Sequence, residues 1–228
     1  MTFLHTRAVQ RWASRHMRCR VERVPDRFAL TFDDGPSARN TPRLLEVLAG
    51  LGVRATFFVL AGHVLRHPEI VRAARDAGHE LGVHGRTHLP PLLFPGRMLA
   101  AELETSAQAV EAACGERPRR YRAPFGLLTA SQARAVRAWG FETVLGDVYP
   151  EDPHLHDGRE IARRALARID AGSILILHDA SVFGDASRTP TIEAVEQIVT
   201  ETSRRGLRAV TVAELVSGAS AASPSPGR

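Results

Sequence analysis

The sequence contains no lysine, and all 30 of its basic residues are arginine. A lysine is needed for a Schiff base with a carbonyl substrate or with pyridoxal phosphate, so that chemistry is excluded. A lysine is also part of the G-x-x-x-x-G-K-S/T loop, so a P-loop nucleotide site is excluded as well. The net charge of +5 comes from arginines that are mixed with acids in helix-like segments. This pattern favours a solvated surface over a clustered nucleic-acid interface, and we expect no nucleic-acid partner.

Cysteine and long apolar runs are also scarce. Cys19 and Cys114 are the only cysteines, too few for a disulfide framework or a thiolate zinc site. Residues 1–26 have no run of seven apolar residues, so they predict neither a signal peptide nor a membrane span. We therefore expect a basic N-terminal arm there and a cytoplasmic location. A helix that packs against the domain and a basic amphipathic helix on a membrane are the alternatives for the arm. The Ser/Ala/Pro-rich residues 218–228 predict a disordered tail.

Seven apolar or β-branched runs predict β-strands between these ends. They are FALTF, ATFFVL, HELGVH, RYRAPF, FETVLG, SILILH and RAVTV. Helix-like segments separate them, several with a proline at the start or a glycine at the end. Strands that alternate with helices imply a parallel sheet. Because no G-x-G-x-x-G follows the first strand, we predict a closed or nearly closed (β/α) barrel over residues 27–217 in place of a dinucleotide-binding fold.

Ionisable side chains concentrate where these strands end, which is where barrel enzymes place their catalytic residues. The residues concerned are Asp33, Asp34, His84, His88, Arg122, Asp147, Asp152, His178 and Asp179. Two histidines and one carboxylate can form a metal site with open positions. One aspartate of the adjacent pair can then be a ligand, while the other acts as a base that a nearby arginine keeps ionised. Taken singly, each motif is also typical of a turn or of surface histidines.

Four motifs, TFDDGP, HGRTH, RAPFG and ILILHD, together resemble those of the polysaccharide deacetylases with a NodB-homology domain, carbohydrate esterase family 4. The resemblance covers about residues 27 to 216. It implies a distorted (β/α) barrel of about seven parallel strands. It also implies a metal-dependent hydrolase that removes N-acetyl groups from an amino-sugar polymer or oligosaccharide of the chitin-oligomer or peptidoglycan type. The implied cofactor is a divalent ion, with zinc as the default and cobalt, nickel, manganese or iron as alternatives.

The resemblance also assigns roles to single residues. Asp33 is implied to be the catalytic base, supported by Arg122, and His178 the general acid. Asp152 is preferred as the residue that orients His178, with Asp147 as the alternate. The implied metal ligands are Asp34, His84 and His88. The implied substrate contacts are the Phe125 backbone N–H for the oxyanion, Leu177 for the acetyl pocket and Tyr149 for the sugar groove.

Three departures from the family pattern bear on these roles. Gly85 replaces the usual Ser or Thr after the first histidine, so Thr87 or the backbone must brace the loop. Phe125 replaces a tyrosine, which is harmless if only its amide acts. The fourth motif, Asp-x-x-Asp-Trp, becomes GDVYPEDP and loses its tryptophan, which leaves the substrate open. The alternatives are a deacylase of a small-molecule amide or imide and a non-catalytic carbohydrate-binding relative. The sequence does not indicate an oligomeric state.

Overall fold

A computed structural model describes residues 17–182 and 185–221 of the chain. All seven predicted strands are present in it. They are β1 (Arg27–Asp33), β2 (Thr56–Val59), β3 (Glu80–Val83), β4 (Arg120–Tyr121), β5 (Glu142–Thr143), β6 (Ile174–His178) and β7 (Arg208–Val210). Several are shorter than the apolar runs that predict them.

Each of the six predicted helices is also present, and two more accompany them. The helices are α1 (Thr41–Leu51), α2 (Ala61–Val64), α3 (Pro68–Asp76), α4 (Gly96–Cys114), α5 (Ala130–Ala138), α6 (Gly158–Leu166), α7 (Thr189–Arg204) and α8 (Val212–Ala221). Within the described ranges, none of these helices combines the length and the apolar character that a membrane crossing requires.

The strands form one parallel sheet in the order β5-β4-β3-β2-β1-β6, and β7 pairs with the start of β1. The sheet curls, so its two edges β5 and β6 approach each other. A single bridge between Val148 and Leu175 links the chain after β5 to β6. Nearby, Arg18 bridges to Val144 and Arg20 to Ser173, so an N-terminal segment lies between the two edges of the sheet. The fold class therefore agrees with the predicted (β/α) barrel of about seven parallel strands.

Alternation along β1 separates an outer core from the inner face. Phe28, Leu30 and Phe32 are fully buried and pack with apolar side chains of the helix layer, which include Leu44 of α1 and Ile198 of α7. Because successive side chains of a strand point to opposite faces, the intervening residues face the inside of the curled sheet. Two of these, Thr31 and Asp33, are polar and buried, which places the site inside the sheet at its C-terminal edge.

At both ends the folded unit extends beyond the predicted bounds of the domain. Met17, Val21 and Val24 are buried, and Met17 belongs to a core cluster, so residues 17–26 are part of the folded unit and not an arm. Residues 1–16 lie outside the described residues. At the other end α8 continues to Ala221, so the predicted start of a tail at 218 falls within a helix. Residues 222–228 again lie outside the described ranges.

Candidate active site

Three of the predicted residues form one buried cluster of possible metal ligands. The Oδ1 atom of Asp34 lies 3.5 Å from Nε2 of His84 and 3.4 Å from Nε2 of His88. The three ligand atoms lie within 4.8 Å of one another. The Asp34 Oδ1 atom is buried and has no hydrogen-bond partner in the described part of the chain. An unsatisfied buried carboxylate oxygen that faces two imidazole nitrogens is the arrangement expected of a site built for a cation.

Strand ends and backbone contacts position this cluster. Asp34 follows β1 and adopts a φ of 75°, which turns the chain out of the strand. His84 follows β3, and its Nδ1 lies 2.8 Å from the Arg122 carbonyl oxygen, so Nε2 is left for the cluster. His63 places its Nδ1 2.8 Å from the Asp34 carbonyl oxygen. Of these two contacts, the one between His84 and the Arg122 carbonyl is of the kind that fixes the ring orientation of a metal-binding histidine.

Gly85 takes its place in this loop through its backbone. Its φ is +90°, a conformation in which any residue with a Cβ is strained, so a Ser or Thr would not suit the observed loop. The bracing comes from main-chain groups: Ala61 N–H donates to the Gly85 carbonyl and Gly62 N–H to the Arg86 carbonyl. Arg86 N–H in turn donates to Glu102. Of the two predicted substitutes for the missing hydroxyl, the structure shows the backbone one.

Asp33 lies beside the cluster and is paired with a buried arginine. Arg122 Nη1 donates to Asp33 Oδ1 at 2.6 Å and to Thr31 Oγ1 at 2.7 Å. Its guanidinium lies 4.1 Å from the centre of the Phe58 ring. The other Asp33 oxygen is 4.0 Å from His84 Nε2. Burial opposes the charged form of Asp33, yet Arg122, His84 and His178 hold its pKa below the ordinary value. Asp33 is therefore an ionised carboxylate with one oxygen directed towards the cluster.

His178 lies next to Asp33, because the two residues are Cα partners in the pairing of β1 with β6. Its Nδ1 is 2.9 Å from Asp152 Oδ1, and its N–H donates to Asp152 Oδ2 at 3.0 Å. Thr191 Oγ1 also donates to that carboxylate. Burial by itself would lower the pKa of His178, but the charge and hydrogen bond of Asp152 raise it to about 9. His178 is therefore an imidazolium at neutral pH.

Asp147, the alternate partner, has a different position. Its Oδ1 accepts from Ile174 N–H at 2.7 Å, and its Oδ2 accepts from Ser173 Oγ at 3.2 Å. These bonds tie the chain after β5 to the start of β6, which is the far end of that strand from His178. The structure therefore places Asp152, and not Asp147, against His178.

Leu177 requires a correction. It pairs with Phe32 in the sheet, is fully buried and belongs to the outer cluster that packs against the helices. Since side chains alternate along a strand, Leu177 and His178 point to opposite faces of β6. The residue that shares the face of His178 is Ile176, which is also largely buried. The prediction that Leu177 lines an acetyl pocket is therefore wrong, because its side chain packs on the helix side of the sheet, away from the site.

Phe125 and Tyr149 border the site on its two sides. The Phe125 ring is 4.6 Å from the ring of His88, and its backbone has a φ of +60° within the turn Pro124–Gly126. The Tyr149 ring is 6.0 Å from the ring of His178, in an edge-to-face arrangement. Tyr149 is half-buried, and this burial raises its phenol pKa, so the hydroxyl stays protonated. Both residues flank the mouth of the site.

Asp179, which directly follows His178, is a buried acid near the site to which the sequence assigns no role. It accepts a hydrogen bond of 2.5 Å from Thr41 Oγ1, and its N–H donates to the Asp33 carbonyl. Its carboxylate lies where a side chain on Gly35 would be, which requires glycine directly after Asp34. Burial raises its pKa to about 7, while the Thr41 hydrogen bond opposes this rise and Asp34 adds to it. The only signal in the sequence was its position as the last letter of ILILHD.

Comparison with known proteins identifies the class of fold and site. Residues 20–144 match the family model described as polysaccharide deacetylase. A chitooligosaccharide deacetylase of Bradyrhizobium sp. is 34% identical over 185 residues, which cover 78% of this chain and 84% of that protein. A peptidoglycan-N-acetylglucosamine deacetylase of Bacillus cereus is 31% identical over 192 residues, with coverages of 83% and 87%.

A solved structure supports the same class at the level of the fold. A peptidoglycan N-acetylglucosamine deacetylase superposes with a TM-score of 0.85 at 22% identity, covering 90% of this chain and 95% of that one. The chain belongs to the polysaccharide deacetylase family, which confirms the resemblance noted in its four motifs. It is accordingly a hydrolase of the class that acts on N-acetyl amides.

Proposed function

We propose that this chain is a metal-dependent N-deacetylase of an amino-sugar oligosaccharide or polymer of the chitin-oligomer or peptidoglycan type. The observation that carries the proposal is the juxtaposition of three elements at one edge of the sheet. An ionised, arginine-paired Asp33 lies between the Asp34, His84 and His88 cluster and the protonated His178. A base, a cation site and an acid side by side are what amide hydrolysis by water requires.

The cluster fits a divalent ion. Its donor set of two imidazoles and one carboxylate suits zinc first, and cobalt, nickel, manganese or iron as alternatives. Burial, followed by the neighbouring His84, lowers the pKa of His88 to about 4, so this ring is neutral and able to act as a ligand. When bound, such an ion lowers the pKa of water and polarises a carbonyl oxygen. Asp34, His84 and His88 would hold it.

Asp33 would accept the proton of the attacking water. Arg122 supports this role by keeping the carboxylate ionised and by holding one oxygen, so the other stays directed at the site. The Phe125 N–H would stabilise the negative charge that develops on the acetyl oxygen, and one such donor is typically worth roughly 2.7–4 kcal/mol. Because Phe125 would act through its amide, the replacement of the usual tyrosine ring leaves this function intact.

His178 would deliver a proton to the departing amine. Without a proton the nitrogen would have to depart as an anion, which is a poor leaving group. An imidazolium held by a buried carboxylate is suited to supply that proton. Asp152 keeps the proton on the ring and directs the second ring nitrogen towards the site. Acetate and a free amino sugar are the products. The curated relatives named above, which act on chitooligosaccharide and on peptidoglycan, support the substrate class.

The test is acetate release from N-acetylglucosamine oligomers, from the monosaccharide to the hexasaccharide, and from peptidoglycan fragments. Chelated protein, zinc-loaded protein, cobalt-loaded protein and zinc-loaded Asp33→Asn would be compared, and zinc binding would be measured separately by titration calorimetry. We expect release only with metal, and a loss of about 10²–10⁴-fold in Asp33→Asn with zinc binding retained.

Two results would contradict the proposal. Equal release from chelated and zinc-loaded protein would remove the metal from the reaction. Absence of release from every glycan, with zinc still tightly bound, would exclude the amino-sugar substrate and point to a small amide or imide, or to a non-catalytic carbohydrate-binding relative.

A further inference from the structure

Exposed apolar side chains are concentrated at one side of the site. Among the described residues, eight large apolar side chains are strongly exposed, and six of them lie in two segments, 86–98 and 125–127. We call these six the apolar rim: Leu89, Leu92, Leu93, Met98, Phe125 and Leu127. A cluster of this kind on a soluble domain marks an interaction surface, whereas single exposed leucines do not.

The two segments meet at the mouth of the site. Phe125 packs its ring edge against His88, the residue that directly precedes Leu89. Further along, Gln132 Nε2 in α5 donates to the Pro91 carbonyl at 2.8 Å, which joins the start of that helix to the first segment. The apolar rim is therefore continuous with the cation cluster and with the opening through which a substrate must enter.

Internal contacts hold the rim residues outward. Phe94 packs against a core cluster that contains Leu99, and a 3-10 turn spans Pro91–Leu93 between two further prolines. Gln132, which also takes part in the capping box with Thr129, ties this turn to α5. The exposure of Leu92 and Leu93 thus follows from a braced turn whose other side is anchored in the core.

The chemistry of the first segment suits lipid better than sugar. From Leu89 to Gly96 no side chain carries a hydrogen-bonding group, whereas a bound glycan requires partners for its hydroxyls. Arg86 and Arg97 flank this stretch, and both are exposed. Arg86 donates its backbone N–H to Glu102, but neither guanidinium forms a salt bridge with an acid in the described ranges. The first acid after Arg86 is Glu102. Leucine side chains between these two arginines, with Met98 directly after the second, complement an interface of acyl chains and anionic headgroups.

We propose that the apolar rim docks the mouth of this site onto the surface of an anionic lipid bilayer. Leu92, Leu93 and Met98 enter the interface, while Arg86 and Arg97 contact the headgroups. The open side of the cation cluster then faces a glycan that is held at or near the membrane. This docking is a property of the surface and does not depend on the reaction proposed above.

The experiment is co-sedimentation of the full chain with vesicles of phosphatidylcholine alone or of phosphatidylcholine mixed with phosphatidylglycerol. The test variant is Leu92→Ser/Leu93→Ser. The matched control is Leu65→Ser, because Leu65 is 64% exposed, close to the 68% of Leu93, but lies outside the rim. We expect the test variant to bind anionic vesicles at least about tenfold more weakly than the control. Arg86→Gln/Arg97→Gln should reduce both the binding and its salt dependence.

All variants carry residues 1–16, so any binding by that segment cancels in the comparison. Thermal melting checks that the test variant folds, and acetate release from a soluble oligomer should stay unchanged, which separates this proposal from the catalytic one. Equal binding by the test and control variants would overturn the proposal. So would absence of binding by the unsubstituted chain, or equal binding to neutral vesicles. Light scattering that shows a dimer lost in the test variant would make the rim an interface between copies, which also overturns it.

Discussion

His88 and His178 occupy the same site, yet their pKa values are displaced in opposite directions. Burial and the neighbouring His84 lower the pKa of His88 to about 4. Burial also acts against the charged form of His178, but Asp152 overcomes it and raises the pKa to about 9. The difference lies in the carboxylate partner. Asp152 bonds the His178 ring through Oδ1 and the His178 backbone N–H through Oδ2, whereas the Asp34 oxygen near His88 is shared with His84.

The comparison shows how two histidines at one edge of a sheet can take different roles, one in cation binding and one in holding a proton. A neutral ring beside an unsatisfied carboxylate is suited to bind a cation, and a charged ring beside a satisfied one is suited to hold a proton. Asp33, between them, remains ionised through a third kind of partner, the buried Arg122. Partner geometry, and not burial alone, decides which role each buried group can take.

The largest effects are expected when the cation cluster and the acid His178 are disabled one at a time. His178→Asn should lower kcat by about 10²–10⁴-fold while zinc binding is retained, because that ring is not one of the three cluster ligands. His88→Asn should instead lower zinc affinity by more than about 100-fold, because it removes a ligand and not only a supporting contact. Titration calorimetry and acetate release at saturating zinc separate the two effects. A loss of zinc binding in His178→Asn would show that the cluster and His178 are not separate.

Asp179 extends the comparison to an acid whose carboxylate forms no ion pair with any residue that the structure describes. Its folded-state pKa of about 7 lies above the ordinary value of an aspartate, so between about pH 4 and pH 7 the native state retains a proton that the unfolded state has lost. This group therefore lowers the free energy of unfolding as pH rises through that window, by roughly 4 kcal/mol at most.

Asp179→Asn should remove this contribution. Urea unfolding of the metal-free protein at several pH values should show the variant gaining stability over the parent as pH rises from 4 to 8, with little difference at the acid end. Thr41 can still donate to the amide oxygen, which limits structural change. A constant difference across the pH range would mean that Asp179 does not titrate in this window.

A more selective change tests the partner of His178. Asp152→Asn removes the charge that raises the pKa of His178, so the alkaline limb of the rate profile should move from near pH 9 towards the ordinary value of about 6.5. At pH 8 this corresponds to a loss of roughly thirtyfold, recovered in part at lower pH. Asp147→Asn is the control, because Asp147 bonds Ile174 and Ser173 instead. A shift of the same limb in the control variant would refute this assignment.

Much of the fold could be predicted because its signals are local. Apolar runs, N-terminal prolines and C-terminal glycines indicated seven strands and six helices, and their alternation indicated a parallel sheet. The segment from Met17 to Val24 could not be recognised, because it is held by pairing with strands more than 100 positions away, such as Arg18 with Val144. Pairing of that kind depends on tertiary context, and a basic stretch with scattered apolar residues does not reveal it.

In the site, too, features with a local sequence signal could be predicted and features that depend on tertiary context could not. The residues at strand ends were predictable because parallel strands bring their C-terminal ends to one edge. Leu177 was assigned to the wrong face because the motif was matched without following the alternation from His178. Asp179 received no role because its contacts, with Thr41 and with the space left by Gly35, exist only in the folded chain. Gly85 had appeared as a loss, yet it is the residue that the backbone there requires.

The smallest expected effect concerns that backbone, and a pair of glycines tests it. Gly85→Ala should lower the free energy of unfolding by roughly 1–3 kcal/mol, because alanine is strained at a φ of +90°. Space is not the cause, since an added Cβ would come no closer than 3.7 Å to Glu102. Gly50→Ala is the control: it lies within α1 with open space around it, so it should raise stability by about 0.4–1 kcal/mol. If both variants were equally stable, the loop would not impose a positive φ on residue 85. The backbone hydrogen bonds would then be a poor explanation for the conformation of the His84–His88 segment.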